Sequence, residues 1–154
     1  MLLLWLKFVV MWRFFRLWAF ADGVVVQENL TRFVYLNRNI TGFWRHWHVS
    51  FNKWLISYIY IPLGGRSTRV WNVWLIFAFT ALWHEVEPQI LAWASLNAGL
   101  IFVEMALDSA WRKPAVMRLP AYARRHVRVW MAIGPAYLII LVNFVGWAKH
   151  QKYK

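Results

Sequence analysis

Histidines, arginines and an asparagine set inside otherwise apolar runs are the residues of this chain best suited to chemistry. Residues 43–65, FWRHWHVSFNKWLISYIYIPLGG, place Arg45, His46, His48, Asn52 and Lys53 among tryptophans, phenylalanines and isoleucines. A second apolar run ends in the pair His84-Glu85. An imidazole titrates near neutrality, so it can take a proton from a hydroxyl and return it later. His84 has no other strong base in its run before Glu85, which makes it the candidate general base. On a helix advancing about 100° per residue, Thr41, Arg45, His48 and Asn52 share one face. His48, with Arg45 and Asn52 beside it, is the candidate for orienting an acceptor or stabilising a developing oxyanion. His46 and His48 would share a face only on a strand. On a helix they diverge by about 200°, so no metal site is expected. The chain has no cysteine, which excludes disulfides, thiolate zinc sites and a cysteine nucleophile within it. Its serines sit in no nucleophile elbow.

Positioning these groups falls first to a helix expected to run unbroken through most of residues 43–61. Trp47, Phe51, Trp54 and Tyr58 form an aromatic stripe along it. His46, Ser50, Lys53 and Ser57 occupy a further polar face, which additional membrane spans are expected to cover. Pro62 cannot continue the hydrogen-bond ladder, so the helix should stop near Tyr60 or Ile61. With 61% hydrophobic residues and 13 tryptophans in 154 positions, the chain exceeds the apolar content of a soluble interior and points to a lipid bilayer. The net charge of +12 lies in short clusters between apolar runs, the arrangement of cytoplasmic loops, so nucleic acid is not an expected partner.

Taken in order, residues 1–20 read as an interfacial or protein-buried helix, because Lys7, Arg13 and Arg16 interrupt them. The tripeptides at Asn29 and Asn39 match the glycosylation sequon by chance. Residues 70–83 are short of the roughly 20 needed for a span, and residues 89–107 resume the apolar pattern. Residues 108–128, with Arg112, Lys113, Arg118, Arg124, Arg125 and Arg128 between prolines, read as a basic connecting loop. Residues 129–148 are the clearest span. If the runs on either side of His84 both cross, Arg66, Arg69 and the basic loop lie on the cytosolic side. The basic tail, residues 149–154, would then break that rule, so either a further span is expected beyond it or the last run does not cross. Glu87 could orient the His84 imidazole if the helix persists, while Pro88 gives it an equal role in ending one.

The pairing of FWRHWHVSFNKWLISYIYIPLGG with FTALWHEVEPQILAW resembles the membrane-bound O-acyltransferase family, both motifs standing in the family's order and spacing. RFFRLWAFADG and the ENL after it resemble the glycerol-uptake-protein branch, close to the hedgehog acyltransferases. The resemblance implies an all-α polytopic membrane protein, multi-pass and placed in the endoplasmic reticulum, with re-entrant or interfacial helices. Residues 1–154 would form one partial catalytic region of a fold that is longer at both ends. It also implies transfer of a fatty acyl chain from acyl-CoA, a co-substrate and not a bound cofactor, to a hydroxyl of a lipid or glycolipid, here a glycosylphosphatidylinositol anchor lipid. The family's essential histidine falls on His84 and its second characteristic residue on His48. Arg45, Asn52 and Glu85 follow as substrate-binding candidates, with Glu85 departing from the glycine or aspartate expected after WH. With no cysteine to carry an acyl group, attack within a ternary complex is expected. The competing reading is a non-catalytic fragment or a glycerol-transport protein, which would show internal repeats of broken helices; the sequence has none.

Overall fold

The computed structural model describes residues 2–33, 36, 37, 39–84, 86–130, 134, 137, 138 and 141. The named elements are helical: α1 (Leu2–Ala21), α2 (Ile40–His46), α3 (Val49–Leu55), α4 (Arg69–Trp83), α5 (Pro88–Trp111) and α6 (Pro114–Met117), with a π-helical turn over Ile56–Tyr60 after α3. This bears out the all-α expectation among the described residues.

The core is built where α4 and α5 pack as a hairpin and α2 lies against them. Phe77 and Ala81 of α4 meet Ile90, Trp93, Ala94, Ala98 and Ile101 of α5, and Ile40 and Phe43 of α2 close the cluster. Small residues at 81, 94 and 98 let the two backbones approach, as tightly packed apolar helices require. The sequence ends α4 where its apolar run ends: His84 is the C-terminal cap, donating its N–H to Thr80 O at 3.1 Å. Pro88 then occupies the first turn of α5, where its missing N–H costs nothing.

The buried end of α2 is capped from a distance. Glu104, itself buried in α5, accepts the N–H of Ile40 at 2.7 Å and of Thr41 at 3.2 Å. Asn39 Oδ1 accepts the Gly42 N–H at 2.8 Å. Two of the four orphan donors of that helix are thus met by a carboxylate and a third by an amide oxygen. A Cβ at position 42 would collide with Asn39 Oδ1, so the close approach depends on glycine.

The single helix expected over residues 43–61 is broken. α2 ends at His46, Trp47 is extended, and His48 is left-handed with φ 47° and ψ 57° before α3 begins. Neither glycine nor proline stands there, so local propensity does not make the break. The extended stretch of residues 27–31 does, by supplying partners from outside. Val49 N–H goes to Asn29 O at 3.1 Å, Thr31 N–H to His46 O at 3.3 Å, and Leu30 pairs with Trp47 as an isolated bridge. The face expected to await further spans is largely met by the same strap. Thr31 Oγ1 lies 2.6 Å from His46 Nδ1, Asn29 Oδ1 accepts from Ser50, and Lys53 donates to Gln27.

The helical path does stop where expected, at Tyr60, though its last turn is π-helical. The chain then reverses through Gly64 and Gly65, both left-handed at φ 99° and 56°. Buried Asn72 holds the turn from α4, donating to Tyr60 O at 3.2 Å and Gly65 O at 3.1 Å.

The basic connector is more ordered than a loop. α5 continues to Trp111, α6 starts at Pro114, and residues 121–130 are helical after Pro120, so the prolines open helices instead of breaking them. Among the described residues one helix, α5, is long and apolar enough to cross a bilayer; α4 is shorter at 15 residues. The expected span over residues 129–148 lies mostly outside the described residues. α1 has no buried residue, and Glu28 ties its Arg13 and Arg16 to the strap at 3.3 Å each, while Arg16 sits over Phe20 at 4.8 Å.

Candidate active site

A cavity of about 530 Å³ opens between α1, α2, α3, α4 and α5. Most of its wall is aromatic or aliphatic, from Phe8, Trp12, Trp44, Phe51, Phe77 and Trp93 among others. The polar groups converging on it are His48, His84, Asn52, Tyr60, Thr41, Thr80 and the arginines 45, 66 and 69. An apolar cavity with a few convergent polar groups is the form of a small-molecule site.

Rings connect the two histidines. His48 lies 5.3 Å from Phe51, Phe51 stacks on Trp83 at 5.0 Å, and Trp83 meets His84 edge-on at 4.6 Å, all centroid to centroid. Trp12 of α1 closes over His48 at 4.7 Å, and Trp93 of α5 faces His84 at 6.3 Å. Each imidazole is therefore held between aromatic neighbours, which fixes its ring. Trp83 carries His84 because it ends α4; Phe51 carries its contact because α3 starts directly after His48.

Burial lowers the pKa of His48 below its ordinary 6.5, and the nearby His84 lowers it further. His48 lies between two seven-residue helices too short to span a bilayer. Its Nδ1 is buried with no hydrogen-bond partner. A neutral imidazole keeps one N–H donor and one lone pair, so this ring can serve in either sense at pH 7. His46 is also held low, by partial burial and by Arg32 and Arg45, but it bonds to Thr31 on the strap side.

The structure brings His48, His84, Arg45 and Asn52 to one cavity. It does so although the helix carrying three of them is broken. Glu85 lies outside the described residues. Glu87 caps α5 with extended backbone, so no helix continues from His84 to it. Arg66 and Arg69 reach the cavity through the Gly64-Gly65 reversal; the sequence marked their charge but not that placement. Neither they nor Arg45 have an acidic partner among the described residues. Asn29 and Glu104 were also missed as supports. A lone carboxylate inside an apolar run was the available signal for Glu104, while Asn29 lay in a stretch without periodicity.

Comparison with known proteins gives the same picture. The family model for MBOAT, the membrane-bound O-acyltransferase family, matches residues 1–143. The chain is 48% identical over 144 residues to Membrane-bound O-acyltransferase GUP1 of Saccharomyces cerevisiae, covering 94% of this chain and 25% of that protein. It is 39% identical over 144 residues to Membrane-bound O-acyltransferase gup1 of Schizosaccharomyces pombe, covering 94% of this chain and 24% of that protein. A more distant similarity, 34% over 89 residues, reaches the Probable alginate O-acetylase AlgI of Pseudomonas fluorescens, covering 55% of this chain and 18% of that protein. The chain thus spans about a quarter of the length of the first two relatives.

Proposed function

Because this chain belongs to the membrane-bound O-acyltransferase family, we propose that it carries the catalytic histidines of an enzyme that moves a fatty acyl chain from acyl-CoA to a hydroxyl acceptor. The observation that carries this reading is the convergence of His48 and His84 on one largely apolar cavity. The GUP1 relatives are named as O-acyltransferases, and the AlgI relative as an O-acetylase, consistent with a hydroxyl as the acceptor.

His84 takes the proton as the acceptor oxygen attacks the thioester carbonyl carbon. The tetrahedral intermediate carries its negative charge on the former carbonyl oxygen. Neutral His48 donates to that oxygen, with Asn52 beside it. Collapse breaks the carbon–sulfur bond, and the proton on His84 passes to the departing thiolate. No acyl-enzyme is required, in keeping with a chain that lacks cysteine.

Arg45, Arg66 and Arg69 bind the phosphates of the donor, since unpaired guanidinium groups match phosphate geometry. The aromatic wall receives the start of the acyl chain. The acceptor is a lipid or glycolipid, with a glycosylphosphatidylinositol anchor lipid the specific candidate. α4 and α5 both cross the bilayer of the endoplasmic reticulum within a polytopic protein, setting the arginine wall at the cytosolic side. Transfer of radiolabelled palmitate from palmitoyl-CoA to membrane lipids, by the full-length protein and its His84→Ala variant, tests the reading. Equal transfer by both would overturn it.

A further inference from the structure

We propose that Asn29, far from the cavity in sequence and outside its wall, is a positioning residue that holds His48 in its left-handed conformation. This rests on the reading of His48 as a functional group.

The argument is one of hydrogen bonds exchanged. If residues 40–55 formed one helix, the Val49 and Ser50 N–H groups would bond to the carbonyls of Arg45 and His46. Instead Val49 N–H reaches Asn29 O at 3.1 Å and Ser50 N–H reaches Asn29 Oδ1 at 2.9 Å. Asn29 Oδ1 also accepts the Ser50 hydroxyl at 2.7 Å. The released His46 carbonyl is taken by Thr31 N–H at 3.3 Å. Asn29 thus replaces both lost acceptors with its own two oxygens. A non-glycine residue at φ 47° persists only where its surroundings over-determine it. The residue under that constraint is the one whose imidazole lines the cavity between Trp12 and Phe51.

Without the Asn29 side chain, the strap holds the break only by its bonds to Val49 and His46, too little to stop Trp47, His48 and Val49 from continuing α2 into α3. The rotation would carry the imidazole out of its slot while leaving the arginine wall and His84 in place. The effect should therefore fall on turnover more than on substrate affinity.

The test uses the full-length protein in membranes, with palmitoyl-CoA as donor and the membrane lipids as acceptors. Asn29→Ala should lower kcat by about tenfold or more with KM for palmitoyl-CoA changed by less than about twofold. Asn29→Asp keeps an oxygen acceptor for both Ser50 donors and should return kcat to within about threefold of the parent. In a His48→Ala background, Asn29→Ala should bring no further loss, because residues acting as one unit are non-additive. Ser50→Ala, a milder change, should show a smaller loss with the same non-additivity, and it carries the test if Asn29→Ala fails to accumulate. An unaltered kcat in Asn29→Ala, multiplied losses in the double variant, or no restoration by aspartate would each overturn the proposal. If His48→Ala alone were fully active, the reading of the site would fall and this proposal with it. If His48→Ala is impaired while Asn29→Ala is not, only the positioning role falls.

Discussion

Glu104 reaches across from α5 to take the Ile40 N–H at 2.7 Å, so the first turn of α2 is anchored by a carboxylate far along the chain. Both ends of the bond are buried. Glu104→Leu leaves two N–H groups short of an acceptor, each costing about 1–3 kcal/mol, and should sharply reduce folded protein recovered in mild detergent. Glu104→Gln keeps one acceptor oxygen and should lose less. Equal thermal midpoints for the parent and the leucine variant would contradict this account of the cap.

The two histidines should separate by magnitude. Losing a general base commonly costs about 10²–10⁴-fold, so His84→Ala should abolish measurable transfer while the amount of folded protein stays similar. His48→Ala should reduce transfer less, by about a hundredfold, the lower end for a lost oxyanion donor, since water can partly replace it. An inactive His48 variant beside a normal His84 variant would reverse the assignment.

The arginine wall makes a prediction about affinity. Arg66→Gln and Arg69→Gln should each raise KM for acyl-CoA by about five- to twentyfold with kcat little changed, the mark of lost uniform binding. Added salt should weaken the parent more than the variants. A fall in kcat with constant KM would place these arginines elsewhere in the mechanism.

Acid should destabilise the fold through His48. Its folded pKa lies below the unfolded value of 6.5, so the unfolded chain binds more protons once the pH drops toward that value. Stability is fully present above the unfolded pKa and is lost as pH falls toward the folded one. The thermal midpoint should therefore decline between about pH 7 and pH 5, and His48→Gln should flatten that decline. His46, shifted in the same direction, leaves a residual slope in the variant.

Topology can be read with single cysteines, because the chain contains none of its own. Cysteine at exposed Ser67 and at exposed Arg118 should both react with a membrane-impermeant maleimide from the cytosolic side. Labelling at only one of them would mean that the segment between crosses once, and His84 would move to mid-membrane.

The legible parts of this molecule were those governed by local chemistry. The end of the helical path at Tyr60 follows from Pro62 and two glycines; the end of α4 at Trp83 follows from the polar residues after it. The pairing of His48 with His84 was legible through motif resemblance, and the shared cavity agrees with it. The break at His48 was not legible, because nothing in WHV disfavours a helix. Its cause is a strap that is extended and has no period, bonded to residues 15 to 26 positions away. The same blindness hid the partners that the strap gives to His46, Ser50 and Lys53. It also hid Asn29 and Asn39, whose side-chain oxygens accept N–H groups in the first turns of α3 and α2.

The π-helical turn over Ile56–Tyr60 is, in effect, a single residue added to a helix. The wide turn absorbs that extra residue; forced into an ordinary α-helix, the same residues would swing everything downstream by about 100°. Tyr60 would leave the wall, its carbonyl would turn from Asn72, and the Gly64-Gly65 reversal would aim Arg66 and Arg69 away from the cavity. The segment therefore tolerates substitution far better than a further insertion. One further codon gained here would reset the bearing of the arginines, while His46 and His48, which precede it, would keep their place.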